Sequence, residues 1–520
     1  MNNSPLSFEA LTPTAFLRRS ATVYPDKTAV IDGDQRWTYA QLFDRCTRLA
    51  GALRDAGVQA GERVAVLAPN THVLLEAHYG VPFAGAVLVA LNMRLTAADL
   101  TYIIEHSDAK ILIYDTEFTD TARAIAAAVK HKLTLICASN TAGDPFEALL
   151  AHASPQTVEV ADECSLLSIN YTSGTTGKPK GVMYHHRGAY LQALAMALHT
   201  GLTESSVYLW TLPMFHCNGW CFTWAVTAAG GTHVCLRKAD PALIWQHLRD
   251  SGVTQLCAAP TILIMLAWHA GAQPLPHTVN VATGGAPPTP ALLARMAELN
   301  INMTHLYGLT ETFGPAVLCE WRRDWNAWPP EQQAQIKARQ GVGNVIAQTL
   351  RVVDSAGGDV PRDGTTLGEI ALRGNNVMLG YYRDDEATAK AAPDGWFRTG
   401  DLAVMHSDGY IEIKDRAKDI IISGGENIAS VEVERTLSSH PAVLEVAVVA
   451  APDEKWGEIP VAFVTLKPGH TLTAEAMIAY AREHMAHFKA PKKVRFGDLP
   501  KNATGKIQKF VLRDSAKNTQ

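Results

Sequence analysis

Residues 171 to 182 read Tyr-Thr-Ser-Gly-Thr-Thr-Gly-Lys-Pro-Lys-Gly-Val. Packing a core does not call for so many hydroxyls, glycines and lysines in one short run. Holding a polyphosphate does. Glycines let backbone N–H groups close on phosphate oxygens. Thr172, Ser173, Thr175 and Thr176 add hydroxyl donors, and Lys178 and Lys180 add positive charge. The preceding run Cys164-Ser-Leu-Leu-Ser-Ile-Asn170 reads as a buried strand, so the loop leaves a strand end, where α/β folds bind ligands. The segment is not a P-loop. Gly174 and Gly177 stand too close together, and Pro179 follows Lys178 where a P-loop needs a Ser or Thr for the metal. The proline also biases Lys178 towards an extended backbone, so the loop does not run straight into a helix through that lysine.

Four other stretches carry chemistry. Thr283-Gly-Gly-Ala-Pro-Pro288 is a run of small residues at a strand end, against which a flat base can lie; alone it reads as a tight turn. Leu306-Tyr-Gly-Leu-Thr-Glu-Thr312 offers an aromatic face, a hydroxyl and a carboxylate. A carboxylate beside a polyphosphate is a natural ligand for Mg²⁺, although Glu311 alone reads as a solvated helix residue. In Trp396-Phe-Arg-Thr-Gly-Asp401 and Asp415-Arg-Ala-Lys-Asp-Ile-Ile-Ile-Ser-Gly-Gly-Glu-Asn427, Asp401 can accept from both ribose hydroxyls and Arg416 can donate to the same sugar. Taken singly, they are a turn aspartate and a surface arginine. Cys217 and Cys221 beside His216 lack the spacing of a common zinc pair.

These residues need a frame. The first third alternates apolar strands (63–68, 87–91, 109–114 and 133–137) with helical patterns (71–84, 97–106 and 118–130), which predicts a parallel sheet covered on both faces. The pattern resumes near 207–211, 232–236 and 279–283, predicting a second α/β unit. From 343 to 414 short strands with Asp/Gly turns predict β-hairpins, and a charged stretch at 414–419 precedes a compact α+β pattern with a basic tail. At 520 residues, 47% hydrophobic and 19% charged, the chain has the composition of an ordinary globular protein of several domains. A net charge of −5 gives no general nucleic-acid signature. The scattered cysteines read as buried free thiols of a reducing compartment. No apolar run is long enough to span a bilayer, so no membrane insertion is expected. The first residues lack the basic region and apolar core of a signal peptide, which makes the cytoplasm the default compartment.

With these stretches in this order, followed by Thr504-Gly-Lys506, the chain resembles the adenylate-forming superfamily, specifically its acyl-CoA synthetases and ligases, from about residue 12 to about residue 513. The resemblance implies an α/β fold with a large N-terminal domain (1–417) of two α/β sheets plus a distorted β-barrel subdomain. A small, mobile α+β C-terminal domain (418–520) follows. It also implies a two-step reaction: a carboxylic acid attacks the α-phosphate of ATP, and the thiol of coenzyme A then takes the acyl group. On this resemblance Thr172, Ser173, Gly174, Thr175, Thr176, Gly177, Lys178 and Lys180 hold the β- and γ-phosphates. Gly285, Ala286, Pro287, Tyr307 and Gly308 surround adenine, Thr310 touches the α-phosphate, and Glu311 with Thr175 serves Mg²⁺. Asp401 and Arg416 bind ribose, and Lys506 bridges the carboxylate and α-phosphate oxygens, with Lys501 and Lys509 as competing basic-tail readings. Lys418 marks the hinge, and Gly424 and Gly425 let the pantetheine arm pass.

Leu212-Pro-Met-Phe-His-Cys-Asn-Gly-Trp220 resembles the segment lining the acyl pocket. His216 is expected near the reacting carboxylate, and Trp220 is expected to close the pocket. Val226, Gly308, Phe313, Gly314 and Pro315 are further candidates. No charged side chain is conspicuous there, which argues against a charged distal end on the acid. The expected substrate is a short- to medium-chain acid, fatty or thioether, such as methylmercaptopropionate. An aryl acid that stacks on the tryptophan is an alternative, as is transfer to a carrier protein instead of free coenzyme A. Many enzymes of this family are dimers, so a homodimer is among the partners the resemblance implies.

Overall fold

The computed structural model describes residues 9–139, 143–172, 178–285, 288–501 and 507–517. Among these residues four sheets form the frame. The first α/β unit is a six-stranded sheet whose strands Thr134–Ala138, Ala109–Asp115, Arg63–Leu67, Val87–Ala90 and Leu166–Tyr171 run parallel. Gly181–His185 closes its edge antiparallel to Leu166–Tyr171. The second unit is a nine-stranded sheet with a parallel centre, from Ile301–Leu309 through Val279–Gly284, Gln255–Ala258, Val207–Leu209 and Thr232–Cys235 to Thr28–Asp32.

The alternation of strands and helices is thus realised, with small differences at element ends. The helix expected over 118–130 splits into a 3₁₀ turn, Thr116–Phe118, and a helix, Thr119–Ala128, because the Asp115 carboxylate caps the turn through the Glu117 N–H.

The helix His72–Phe83 is buried along its whole length, as expected of a helix that is apolar nearly all round. It carries His72, Glu76 and His78 into that interior, and each must therefore find a partner. Arg45 pairs with Glu76 at 2.5 Å and with Glu147 at 2.6 Å, His72 Nδ1 lies 2.8 Å from Asp32, and His78 bonds the Leu74 carbonyl at 2.7 Å. The large aromatic side chains Trp210, Trp224, Tyr79 and Phe222 share this core.

Strands Arg351–Val353, Gly368–Leu372, Phe397–Met405 and Ile411–Arg416 form an antiparallel meander, the element expected as a distorted barrel. Its last strand meets the chain beside the nine-stranded sheet through a bridge between Gly341 and Ile411. The fourth sheet belongs to a separate C-terminal domain: Glu426–Ile428, Ile421–Ser423, Gly457–Leu466, Val443–Asp453 and Lys493–Phe496. No helix among the described residues is long and apolar enough to cross a membrane.

Candidate functional site

The phosphate-type segment lies between Leu166–Tyr171 and the antiparallel strand Gly181–His185, so the chain passes from it into a strand and not into a helix. Its mouth is closed by the Thr172 N–H, which donates to the Lys180 carbonyl at 3.0 Å. Ser173, Gly174, Thr175, Thr176 and Gly177 lie outside the described residues. Both lysines rest on aromatic faces. Lys178 Nζ is 4.9 Å from the Tyr102 ring centre, and Lys180 Nζ is 4.7 Å from that of Tyr381 and 3.6 Å from Asp384. Such cation–π contacts are weak at half-exposed positions, so an anionic ligand can draw the lysines away.

Strand Ile301–Leu309 delivers the Tyr-Gly-Leu-Thr-Glu segment to the same place. Tyr307 donates its hydroxyl to Asp401 at 2.6 Å, and Arg416 Nε donates to the other Asp401 oxygen at 3.1 Å. Asp401 and Arg416 face each other in register across the meander, which fixes their pairing. Burial and the adjacent Asp401 charge push the Tyr307 phenol well above its ordinary pKa, so it remains a donor. Gly308 has a different reason to be glycine: a Cβ there would sit 1.9 Å from the Gly314 carbonyl oxygen of the neighbouring strand. Gly285 takes a φ of +102° and is exposed, whereas Ala286 and Pro287 lie outside the described residues.

Glu311 stands on the 3₁₀ turn Thr310–Thr312, and its carboxylate accepts from the Tyr381 hydroxyl at 2.8 Å. Burial and the Glu311 charge keep that phenol protonated. One tyrosine thus holds Glu311 with its hydroxyl and Lys180 with its ring. Sequence reasoning did not single it out, and the Gly380-Tyr-Tyr382 text offers no local signal for this role. A half-exposed carboxylate oxygen beside the loop lysines is a donor that suits a hard cation.

On the other side of Thr310 lies the His-Cys-Asn-Gly-Trp segment. Five consecutive residues, Cys217 to Cys221, have positive φ: 48°, 43°, 60°, 54° and 63°. This is a left-handed turn in which only Gly219 is free of a steric cost. A non-glycine residue in this conformation costs about 1–2 kcal/mol, somewhat less for asparagine. The expense is offset by a buried network on Asn218. The Asn218 N–H donates to Asn170 Oδ1 at 3.0 Å, and its Oδ1 accepts from Asn170 Nδ2 at 2.5 Å and Ser168 Oγ at 2.7 Å. Its Nδ2 meets His78 Nε2 at 3.0 Å, and Thr223 donates to its carbonyl at 3.0 Å.

The turn presents His216 and Trp220, both partly exposed. The Cys217 sulfur lies 3.6 Å from Thr310 Oγ1 and within 4.0 Å of both His216 ring nitrogens, so His216, Cys217 and Thr310 are brought together. Burial pushes the Cys217 thiol up to about 12, which leaves it neutral and unsuited to act as a nucleophile. Trp220 is seated between two glycines. A Cβ on Gly284 would come within 3.2 Å of the indole, and one on Gly314 within 3.1 Å of Trp220 Cα and Cδ1. Phe313 is fully buried and stacks on Tyr184 with ring centres 3.9 Å apart, so its ring belongs to the packed core beside Trp220. Pro315 and Val226 are buried; the Pro315 carbonyl accepts from Gln192 at 2.7 Å.

In the C-terminal domain, Lys506 lies outside the described residues, but its two competitors do not. Lys501 pairs with Glu445 at 2.7 Å, and Lys509 pairs with Glu434 at 2.7 Å and donates to Ser430 at 2.6 Å. Both are committed to holding their own domain together. Gly424 and Gly425 form the two-residue turn of a hairpin, with φ of 60° and 87°, and Gly424 bonds the Trp456 carbonyl at 2.8 Å. Lys418 is exposed just beyond the meander. Loss of water and the charges of Arg416 and Arg513 lower its pKa, against Asp401.

Comparison with known proteins gives the family and the fold. The AMP-binding enzyme family matches residues 17–382, and the AMP-binding enzyme C-terminal domain matches residues 432–506. An acetate–CoA ligase of Humulus lupulus is 46% identical, covering 98% of this chain and 95% of its own. A peroxisomal acetate/butyrate–CoA ligase of Arabidopsis thaliana is 44% identical over 99% of this chain and 96% of its own. The crystal structure of ATP-bound MatB from Rhodopseudomonas palustris superimposes with a TM-score of 0.86 at 28% identity, covering 98% of this chain and 99% of that one.

Proposed function

The chain belongs to the AMP-binding enzymes and is an AMP-forming acid–CoA ligase, and from that premise we propose that its substrates are short- to medium-chain acids, fatty or thioether, of which methylmercaptopropionate is one. The observation that carries the choice of acid is the seat of Trp220 between Gly284 and Gly314: an indole held there would shorten an acyl pocket that ran beside it. The acetate and butyrate activities in the names of the similar plant enzymes support the same size class. The cytoplasm is the proposed compartment, on the strength of mostly buried free thiols.

A carboxylate is a poor electrophile because its leaving group would be an oxide. In the proposed first step a carboxylate oxygen bonds to the α-phosphorus of ATP while the bond to the bridging β-oxygen breaks and pyrophosphate leaves. The Tyr307, Asp401 and Arg416 cluster holds the nucleoside, with Asp401 exchanging its present partners for ribose hydroxyls. Thr310 meets the α-phosphate, and Thr172, Lys178 and Lys180, with residues 173–177 between them, hold the departing end. Glu311, with Thr175, would hold Mg²⁺, which when bound offsets charge on the phosphate oxygens. Lys506 bridges the two reacting groups, a fixed charge where charge builds. In the second step the sulfur of coenzyme A, having lost its proton, bonds to the acyl carbon, and the C–O bond to AMP breaks. The C-terminal domain, divided from the rest near Lys418, turns between the steps and brings the Gly424–Gly425 hairpin to the site.

Pyrophosphate release from ATP is the test, with C2 to C12 acids, benzoate and a thioether acid, each without coenzyme A. Short acids should release it, and silence across the panel would sink the proposal. Lys506→Ala should lower adenylation by about a hundredfold or more while sparing thioester formation from a supplied acyl adenylate. Equal loss of both half-reactions would contradict the two-state assignment.

A further inference from the structure

Nothing in the proposed chemistry explains why the residues after His216 form a left-handed turn, or why Asn218, with no access to solvent, lies at its centre. We infer that Asn218 is a positioning residue for the acyl subsite: anchored on Asn170 and His78, it holds the strained turn that aims His216 and Trp220 at the acid. The inference rests on the assignment of His216 and Trp220 to the acid side.

The network can be read atom by atom. His78 Nδ1 lies 2.7 Å from the Leu74 carbonyl, which can only accept, so Nδ1 carries the proton. Burial pulls the ring down to about 4, so His78 is neutral and its Nε2 accepts. The atom of Asn218 facing it must therefore be the amide nitrogen. That leaves Asn218 Oδ1 towards Ser168 and the Asn170 amide nitrogen, which both donate to it, while the Asn218 N–H donates back to Asn170 Oδ1. One asparagine orientation satisfies every partner. Aspartate would set an oxygen against the His78 lone pair, and leucine would remove the bonds that Asn170 Nδ2, Ser168 Oγ and His78 Nε2 make to the Asn218 side chain, leaving His78 Nε2 without its partner in the core.

The anchors are rigid. Ser168 and Asn170 lie within the strand Leu166–Tyr171, and His78 lies within the buried helix His72–Phe83. Asn170 is also two residues from Thr172, the first residue of the phosphate loop. The same hydrogen-bond pair therefore sets the acid side of the site relative to the strand that carries the phosphate side. The turn needs this anchor because four of its five residues would each be less strained with negative φ.

The test separates the side chain from the backbone it supports. Asn218→Gly accepts positive φ without strain but removes the side-chain bonds to Ser168, Asn170 and His78, keeping only the backbone bonds of residue 218 to Asn170 and Thr223, whereas Asn170→Ala removes the partner and leaves Asn218 in place. Each variant is assayed as full-length enzyme for kcat/KM with acetate, butyrate, hexanoate and octanoate, and for KM of ATP. Both variants should lose about tenfold or more in kcat/KM for butyrate, because small misplacements of substrate-facing groups are costly. The butyrate-to-octanoate ratio should fall by about fivefold, with the KM of ATP for Asn218→Gly within about twofold of wild type. A folded Asn218→Gly enzyme with wild-type acid preference would overturn the inference. So would a loss equal for every acid and tracking the folded fraction. Crystal structures of wild type and Asn218→Gly give a readout that needs no turnover. Loss of the left-handed path at 217–221 supports the inference, and an unchanged turn overturns it. A wild-type enzyme that turns over no acid would count against the proposed function, and the two structures would still decide the role of Asn218.

Discussion

The proposed acid side and the proposed nucleotide side of this site are built on opposite principles. Around Asn218 the groups are neutral, fully buried and mutually satisfied, and they hold a strained backbone in place. Around Asp401 and Glu311 the groups are charged or half-exposed, and they occupy one another: Asp401 with Tyr307 and Arg416, Glu311 with Tyr381, Lys180 with the Tyr381 ring and Asp384. The neutral side is set before any ligand arrives. On the proposed function, ATP replaces the interactions of the charged side with ones of the same kind. Preorganisation suits selection among acids that differ only in apolar length. Exchangeable charge suits a ligand that must be bound, cleaved and released.

The comparison can be broken at either end. The largest effect is expected at Asp401. Asp401→Ala strands the Tyr307 hydroxyl and the Arg416 guanidinium, and kcat/KM for ATP should fall by about 10²- to 10³-fold. Acid preference should not change; a change would show that the two sides are not separable. Trp220→Ala should act on the other side only, raising octanoate relative to butyrate by about 10- to 100-fold in kcat/KM and leaving the KM of ATP near wild type. Tyr381→Phe removes one hydroxyl from Glu311 and keeps the ring under Lys180. It should raise the KM of ATP by about three- to tenfold, most visibly when Mg²⁺ is limiting, and titration of activity against Mg²⁺ reads this directly.

The smallest expected effect on activity lies at His72 and shows in stability. Burial lowers the affinity of this imidazole for its proton, but the hydrogen bond to Asp32, the Glu147 carboxylate 3.8 Å from the other ring nitrogen and the charge of Glu76 outweigh it and hold the pKa at about 9, against 6.5 for the free side chain. Trp37 stacks on the ring at 4.4 Å. A pKa raised in the folded state stabilises below the unfolded value, and that contribution is lost as pH rises through the folded one. Thermal melts should therefore show Tm falling between pH 6.5 and 9, a slope that His72→Gln should flatten. An unchanged slope would assign the pH dependence to other groups.

Much of this molecule was legible before its fold was known, because the signals are local. Pro179 forbids the helical path of a P-loop wherever it sits. Apolar strands spaced by helices dictate a parallel sheet. Tyr307, Glu311, Asp401 and Arg416 stand in stretches whose residue types suit a nucleotide and a cation. Other features depend on groups far apart in sequence meeting in space. Asn218 was visible as part of a quoted segment, and its neighbour Gly219 is a hint of left-handed backbone. But Asn170 lies 48 positions away and His78 140, so the network arises only when the two sheets close on the helix between them. The Tyr307–Asp401 pair spans 94 positions and the Tyr381–Glu311 pair 70. Composition could not distinguish Lys501 and Lys509 from Lys506; the glutamates that occupy the first two come from other strands and helices of the C-terminal domain. The sequence by itself determined which chemistry is present and which elements carry it, because sterics and periodicity act between near neighbours. Only the tertiary structure decided which side chains already hold one another, because that depends on how distant elements pack.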